Sequence, residues 1–172
     1  MYTTHDPAFV SVSRFDDIHT VAVVRGEKQH TTVHSSSLAE LKKKEAFRRA
    51  CRCRADESIR KELEHKCQGE QNEGFFADRI ILVEGSTESY ALPVYFARLG
   101  YDLDENNTVI LRAQSKTLLQ LLCVIFSSCK IPCYCIFDGD KPEDSLYSRY
   151  MTSQPMSSGC LLYTSDAADE RS

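Results

Sequence analysis

The sequence predicts an α/β fold built on a parallel sheet, and three observations carry that reading. Ile80-Ile81-Leu82-Val83 is a continuous apolar run of strand length, the pattern of a strand covered on both faces. Thr108-Val109-Ile110-Leu111 and Cys133-Tyr134-Cys135-Ile136-Phe137 are two more such runs. Helical apolar spacing fills both intervals, so the order is β-α-β-α-β, which forces parallel strands with right-handed crossovers.

Each element has its own signal. Phe9-Val10-Ser11-Val12 and Thr20-Val21-Ala22-Val23-Val24 are rich in β-branched residues, and Thr31-Thr32-Val33-His34 resumes after the polar turn Arg25-Gly26-Glu27-Lys28, so the first 34 residues predict a short hairpin. Ser37 followed three residues on by Glu40 is a capping-box pattern that starts a helix at Leu38. From Leu38 to Lys66 charged residues dominate, with Leu41, Ala46, Phe47, Ile59 and Leu63 the main apolar ones, which predicts a solvated helical linker over 38–74. Gln68 to Gly74 forms a polar break that marks a domain boundary. In the first crossover Leu92, Tyr95, Phe96 and Leu99 share a helix face, Pro93 predicts a kink or a displaced first turn, and Gly100 is placed to end the helix. In the second, Leu118, Leu121, Leu122 and Ile125 repeat at i, i+3, i+4 and i+7, giving a helix over 116–129 that Lys130-Ile131-Pro132 breaks.

Charge and composition narrow the function classes. The net charge of −4 over 172 residues excludes a bulk polyanion binder, but it is a sum of unlike parts. Residues 1–37 carry −1, 38–66 carry +4, 67–159 carry −5 and 160–172 carry −2. The basic 38–66 segment has two readings, a salt-sensitive nucleic-acid face or a charged helix that only stays solvated. No apolar run approaches the roughly 20 residues that cross a bilayer, and the start lacks a signal-peptide pattern, so a cytoplasmic protein is expected. Cys51-x-Cys53 and Cys133-x-Cys135 are too close for Cys-x2-Cys zinc spacing and no His pair follows, which makes reduced, buried thiols the preferred reading of the eight cysteines.

The chemistry concentrates in carboxylates. Loops that follow the strands of an open parallel sheet gather at one edge, where such folds bind ligands. Glu84 directly follows the first strand of the unit, and Asp138 and Asp140 directly follow the third. Glu88 joins them if Ser86 or Thr87 begins the helix. Carboxylates packed this closely repel unless a cation neutralises them, and Mg2+ or Mn2+ suits hard oxygen ligands. An Asp-x-Asp pair alone is also ordinary turn chemistry. A phosphatase with an Asp-x-Asp nucleophile leaves Glu84 unexplained.

These residues resemble a known family. Ala77 to Glu88, then Ala91-Leu92-Pro93, then Phe137-Asp138-Gly139-Asp140 are similar to the Rossmann-like TOPRIM domain of the OLD (overcoming lysogenization defect) ATP-dependent endonucleases, whose pattern is Glu after one strand and Asp-x-Asp after another. The second Glu of Glu-Gly-x-Thr-Glu narrows the likeness to the OLD type. Thr3-Thr4-His5-Asp6-Pro7 resembles the segment that closes the ABC-type ATPase domain of that family, with Asp6 in place of Ser. The resemblance implies that Glu84, Glu88, Asp138 and Asp140 hold Mg2+ or Mn2+, with Glu84 either a ligand or the general base. It implies that His5 senses the ATP γ-phosphate in an intact parent. Lys116, at the start of the second helix, either approaches phosphate or is a surface lysine.

The expected organisation is an ATPase-domain remnant over 1–37, the linker, a partial TOPRIM domain over 75–150 and a tail over 151–172. Residues 160–170 resemble a translated sequencing adapter and are set outside the fold. No Gly-x4-Gly-Lys-Ser/Thr loop occurs in the chain, so ATP belongs to the parent. The implied partners are DNA and a homodimer through the parent's ATPase domain, in a DNA repair or phage defence setting. Two alternatives stand beside the nuclease: a non-catalytic nucleic-acid-binding or regulatory module, and a truncated fragment without function.

Overall fold

The computed structural model describes residues 3–24, 29–51, 55–67, 69–138 and 161–164, with Val24, Asp138 and 161–164 as backbone only. Asp6 starts the fold by accepting a hydrogen bond from Ala8 N at 2.9 Å, and Pro7 presets φ for the 3-10 turn Pro7–Phe9. A second 3-10 segment, Val12–Asp17, follows. Phe9 to Val12, grouped above with the strand-like runs, is therefore not a strand: the Asp-Pro start overrides β-branched propensity, and Val12 and Phe15 enter the core instead. The hairpin itself is present, as β1 (His19–Val24) and β2 (His30–Ser35), antiparallel with Val21 opposite Val33. Its expected turn, 25–28, lies outside the described residues.

The capping box at Ser37 forms as the pattern predicts. Ser37 Oγ accepts from Glu40 N at 3.2 Å, and Ser37 N donates to Glu40 Oε2 at 3.1 Å. Three short helices follow: α1 (Leu38–Lys43), α2 (Glu45–Ala50) and α3 (Asp56–Lys66). They correct the expectation of a segment that contributes no core. Leu38, Leu41, Ala46, Phe47, Ala50, Ile59 and Leu63 are all buried in one cluster with the strands and second crossover helix of the parallel sheet. Sparse apolar residues still form a continuous stripe when three helices bend around a common centre. The polar break is itself packed in: Gly69–Phe76 is a 3-10 helix whose Gln71, Asn72, Gly74 and Phe75 are buried. Phe75 meets Phe126 edge-on at 5.1 Å, and a Cβ at Gly74 would lie 2.5 Å from Phe126 Cζ, so only glycine permits this approach.

Asp16 ties the N-terminal segment to these helices. It accepts from Leu38 N at 2.8 Å and pairs with Arg60, which also donates to Ser13 O at 2.7 Å. The Arg60 hydrogen bond, with that of Leu38, holds the Asp16 carboxyl below its ordinary value of 3.8. A depressed carboxylate contributes stability that is present above the unfolded-state value and is lost as the pH falls through the folded-state value. Asp16→Asn should therefore lower the melting temperature at pH 7, with the difference closing below pH 3.8. Thermal melts from pH 7 to pH 3 check this; a gap that stays constant in acid contradicts it.

The parallel unit follows the predicted order: β3 (Arg79–Val83), α4 (Ser86–Arg98), β4 (Thr108–Arg112), α5 (Lys116–Ser128) and β5 (Cys133–Asp138). The strands lie in the order β4-β3-β5, all parallel. The two crossovers run in opposite directions from this arrangement, so right-handedness puts α4 and α5 on opposite faces. Ser115 Oγ caps α5 by accepting from Leu118 N at 3.2 Å. The helix then fills the core with Leu119, Leu121, Leu122, Ile125 and Phe126. It ends with Lys130 at φ 63°, where Ile131 N reaches Phe126 O at 3.1 Å. That is the left-handed closure Gly100 makes for α4 at φ 72°, with Tyr101 N on Phe96 O at 2.9 Å.

Two expectations about these elements need correction. The apolar face of α4 is not buried: Tyr95 and Leu99 are 60% and 81% exposed, and no α4 residue is buried. Among the described residues this helix has only β3 and β4 as substantial neighbours, which leaves its outer half uncovered. It also runs as one helix through Pro93, without a displaced first turn. The second correction is Leu161–Thr164, placed outside the fold above, which forms β6 parallel to β5. A β-prone Leu-Leu-Tyr-Thr segment satisfies the open hydrogen-bonding edge of β5.

Six cysteines fall within the described residues, and all are buried and free of disulfides. Burial pushes the Cys67 and Cys129 thiols up to about 12.

Candidate metal centre

The strand order β4-β3-β5 creates a switch point at the carboxyl ends of β3 and β5, because the connections diverge there. Glu84 is the residue that follows β3, and its backbone N–H donates to Ile136 O at 3.2 Å. That bond sets Glu84 beside the end of β5, two residues from Asp138. On the other side, Ala113 N donates to Val83 O at 2.8 Å, which brings the β4–α5 connection and Lys116 to the same edge. Three strand ends thus converge as the topology requires.

Glu88 arrives by a local device. It is the third residue of α4, and its Oε2 accepts from Gly85 N at 3.1 Å, so it closes the helix start over the glycine. This explains the Glu-Gly-x-Thr-Glu spacing: a Cβ at Gly85 would stand 2.7 Å from Glu88 Oε2. The cap occupies one carboxylate oxygen of Glu88, Oε2. Gly85→Ala should change unfolding stability by less than about 1 kcal/mol, since a flexible side chain can give way. It should nonetheless weaken Mn2+ binding severalfold by turning Glu88 aside. Titration with Mn2+ alongside chemical denaturation separates the two effects, and an unchanged affinity would remove Glu88 from the ligand set.

Lys116 is not a surface lysine. Its side chain is only 14% exposed, and Nζ lies 3.9 Å from Glu84 Oε2 and 6.0 Å from the centre of the buried Phe137 ring. The sequence reading missed Phe137; an aromatic residue directly before Asp-Gly-Asp was the available signal. For Asp138 the structure gives the backbone alone, at the end of β5, and Asp140 lies outside the described residues. Among the described side chains no three His, Cys, Asp or Glu residues cluster as a ligand set, since two of the four predicted carboxylates are not among them. His5 is exposed, next to the Asp6 cap, in the segment that Asn72 ties down through Pro7 O at 3.4 Å and Val10 O at 2.9 Å.

The fit to a divalent cation rests on the donor set and on a stand-in. Glu84 and Glu88 are hard oxygen donors at the switch point, and an ammonium group already balances Glu84 there. The basic 38–66 helices have a different character. Lys42 pairs with Asp56 at 2.5 Å, Arg49 with Glu45 at 2.5 Å, Lys61 with Glu57 at 3.0 Å and Lys66 with Glu62 at 2.5 Å. All four of these acids lie within 38–66, so the pairs leave the segment's net +4 in place.

A family model described as the overcoming lysogenization defect protein-like TOPRIM domain matches residues 75–140. No curated protein matches the chain. The match begins at Phe75, ahead of β3, and ends at Asp140, the second acid of Asp-Gly-Asp, so it spans the whole β-α-β-α-β unit and all four carboxylates. Residues 75–140 are thus similar to an OLD-like TOPRIM domain, a domain type associated with metal-dependent chemistry on nucleic acids.

Proposed function

We propose that this domain hydrolyses DNA phosphodiester bonds as the nuclease part of an OLD-type endonuclease. The observation that carries the reading is the position of Glu84 beside the end of β5, with Lys116 Nζ 3.9 Å from its carboxylate. Glu84, Glu88, Asp138 and Asp140 would hold Mg2+ or Mn2+. Such cations, when bound, supply charge neutralisation to the attacking and leaving oxygens of an in-line displacement. Glu84, where it does not ligate, would accept the proton of the attacking water. Lys116 offers a positive charge to the scissile phosphate from the N-terminus of α5, where the helix dipole also favours an anion.

The parent would add the remaining parts. Residues 1–37 would close its ATPase domain, with His5 placed at the γ-phosphate of ATP and a homodimer formed through that domain. The reading places the protein in the cytoplasm, in DNA repair or phage defence.

Supercoiled plasmid incubated with Mg2+ or Mn2+ tests the proposal, using both the 172-residue chain and the parent protein. Nicking that needs the cation, is abolished by EDTA and is lost in Asp138→Ala/Asp140→Ala is the expected result. Cation-dependent nicking at the wild-type rate in that double variant would overturn it.

A further inference from the structure

We propose that Lys116 is an internal counter-ion for Glu84, holding the site's charge in balance before a divalent cation loads and competing with that cation afterwards. The inference deepens the reading above and rests on it. Its basis is where the ammonium sits. A lysine at the first position of an exposed helix end ordinarily extends into water, yet this side chain is 14% exposed. Its Nζ lies 3.9 Å from Glu84 Oε2 and 6.0 Å from the Phe137 ring centre, between a carboxylate and an aromatic face.

The backbone maintains this placement. Ser115 fixes the first turn of α5 through Leu118 N, and Ala113 N on Val83 O fixes the connection against the Glu84 strand end. An ammonium held in a partly desolvated position acts on its neighbours more strongly than one in water. It offsets the charge of Glu84 while no metal is present. Once a doubly charged cation enters, the same ammonium opposes it, and moving toward a substrate phosphate relieves that opposition. By this account the two effects of Lys116 on the site, before and after the cation loads, have opposite signs.

That opposition gives a test which a structural role would not pass. Mn2+ is titrated calorimetrically into the wild-type chain, Lys116→Met and Lys116→Arg, with melting temperature followed in the same samples. Lys116→Met should bind Mn2+ about tenfold more tightly, because a repulsive charge has been removed. Its metal-free melting temperature should fall, and saturating Mn2+ should restore more of it than in the wild type. Lys116→Arg keeps the charge and should stay near the wild-type affinity. Weaker or unchanged Mn2+ binding in Lys116→Met, with binding to the wild type intact, overturns the inference and leaves the nuclease reading standing. Failure of all three proteins to bind Mn2+ overturns both. Tighter Mn2+ binding in Lys116→Met without plasmid nicking by any of the three supports the counter-ion role and counts against the nuclease.

Discussion

Glu84→Gln is expected to abolish divalent-dependent cleavage and to weaken Mn2+ binding about a hundredfold or more, since loss of a ligand's outer-shell partner alone costs about 10–100-fold. Glu84 is the described acid that contacts both neighbouring strand systems, through its backbone to Ile136 and through its side chain to Lys116. The amide keeps the shape and removes the charge. Linkage turns this into a stability readout. At Mn2+ equal to 100 times its dissociation constant, the wild type gains about 2.7 kcal/mol from binding, and a variant bound a hundredfold more weakly gains about 0.4 kcal/mol. Melts with and without Mn2+ check this directly. An equal metal-induced gain in both proteins would show that the cation binds away from Glu84.

Phe47→Ala is expected to destabilise the whole fold by about 3–5 kcal/mol. Phe47 is 1% exposed on α2, which packs on α5, the helix that fills the core beneath the sheet. The loss is a large part of the roughly 5–15 kcal/mol that holds a domain of this kind together. Were 38–74 an independent solvated linker, the same substitution would stay within about 0.5 kcal/mol. Urea denaturation followed by far-ultraviolet circular dichroism distinguishes these outcomes. One cooperative transition shifted to lower urea is expected, and an unshifted transition would contradict a shared core.

Much of the site was legible before the fold was known. Continuous apolar runs locate β3 and β5 and a period-3.6 pattern locates α5, because these elements supply much of the buried core. Chain order then carries Glu84 and Asp138 to one edge, since parallel strands with right-handed crossovers have no other arrangement. The capping box at Ser37 is local chemistry and forms as its spacing says.

The misses come from tertiary context. The 38–66 segment has only one or two apolar residues per turn, too few to signal burial until three short helices pool them around Phe47, Ile59 and Leu63. Conversely, α4 has enough apolar residues to suggest burial, but the described residues give its outer half no neighbour. Lys116 is misjudged for a related reason: position at a helix start says nothing about whether a neighbouring strand end draws its side chain inward. Leu161–Thr164 joins the sheet because an open edge accepts a β-prone segment whatever its origin.

Direct Mn2+ titration of the 172-residue chain against its Asp138→Asn/Asp140→Asn variant, read by the electron paramagnetic resonance signal of free Mn2+, bears on the central claim without requiring turnover. The account predicts that wild-type protein removes free Mn2+ from the signal, that excess Mg2+ returns it, and that the double variant holds about a hundredfold less tightly. Equal binding by the two proteins, or none by the wild type, would contradict a divalent centre at the carboxyl edge of this sheet.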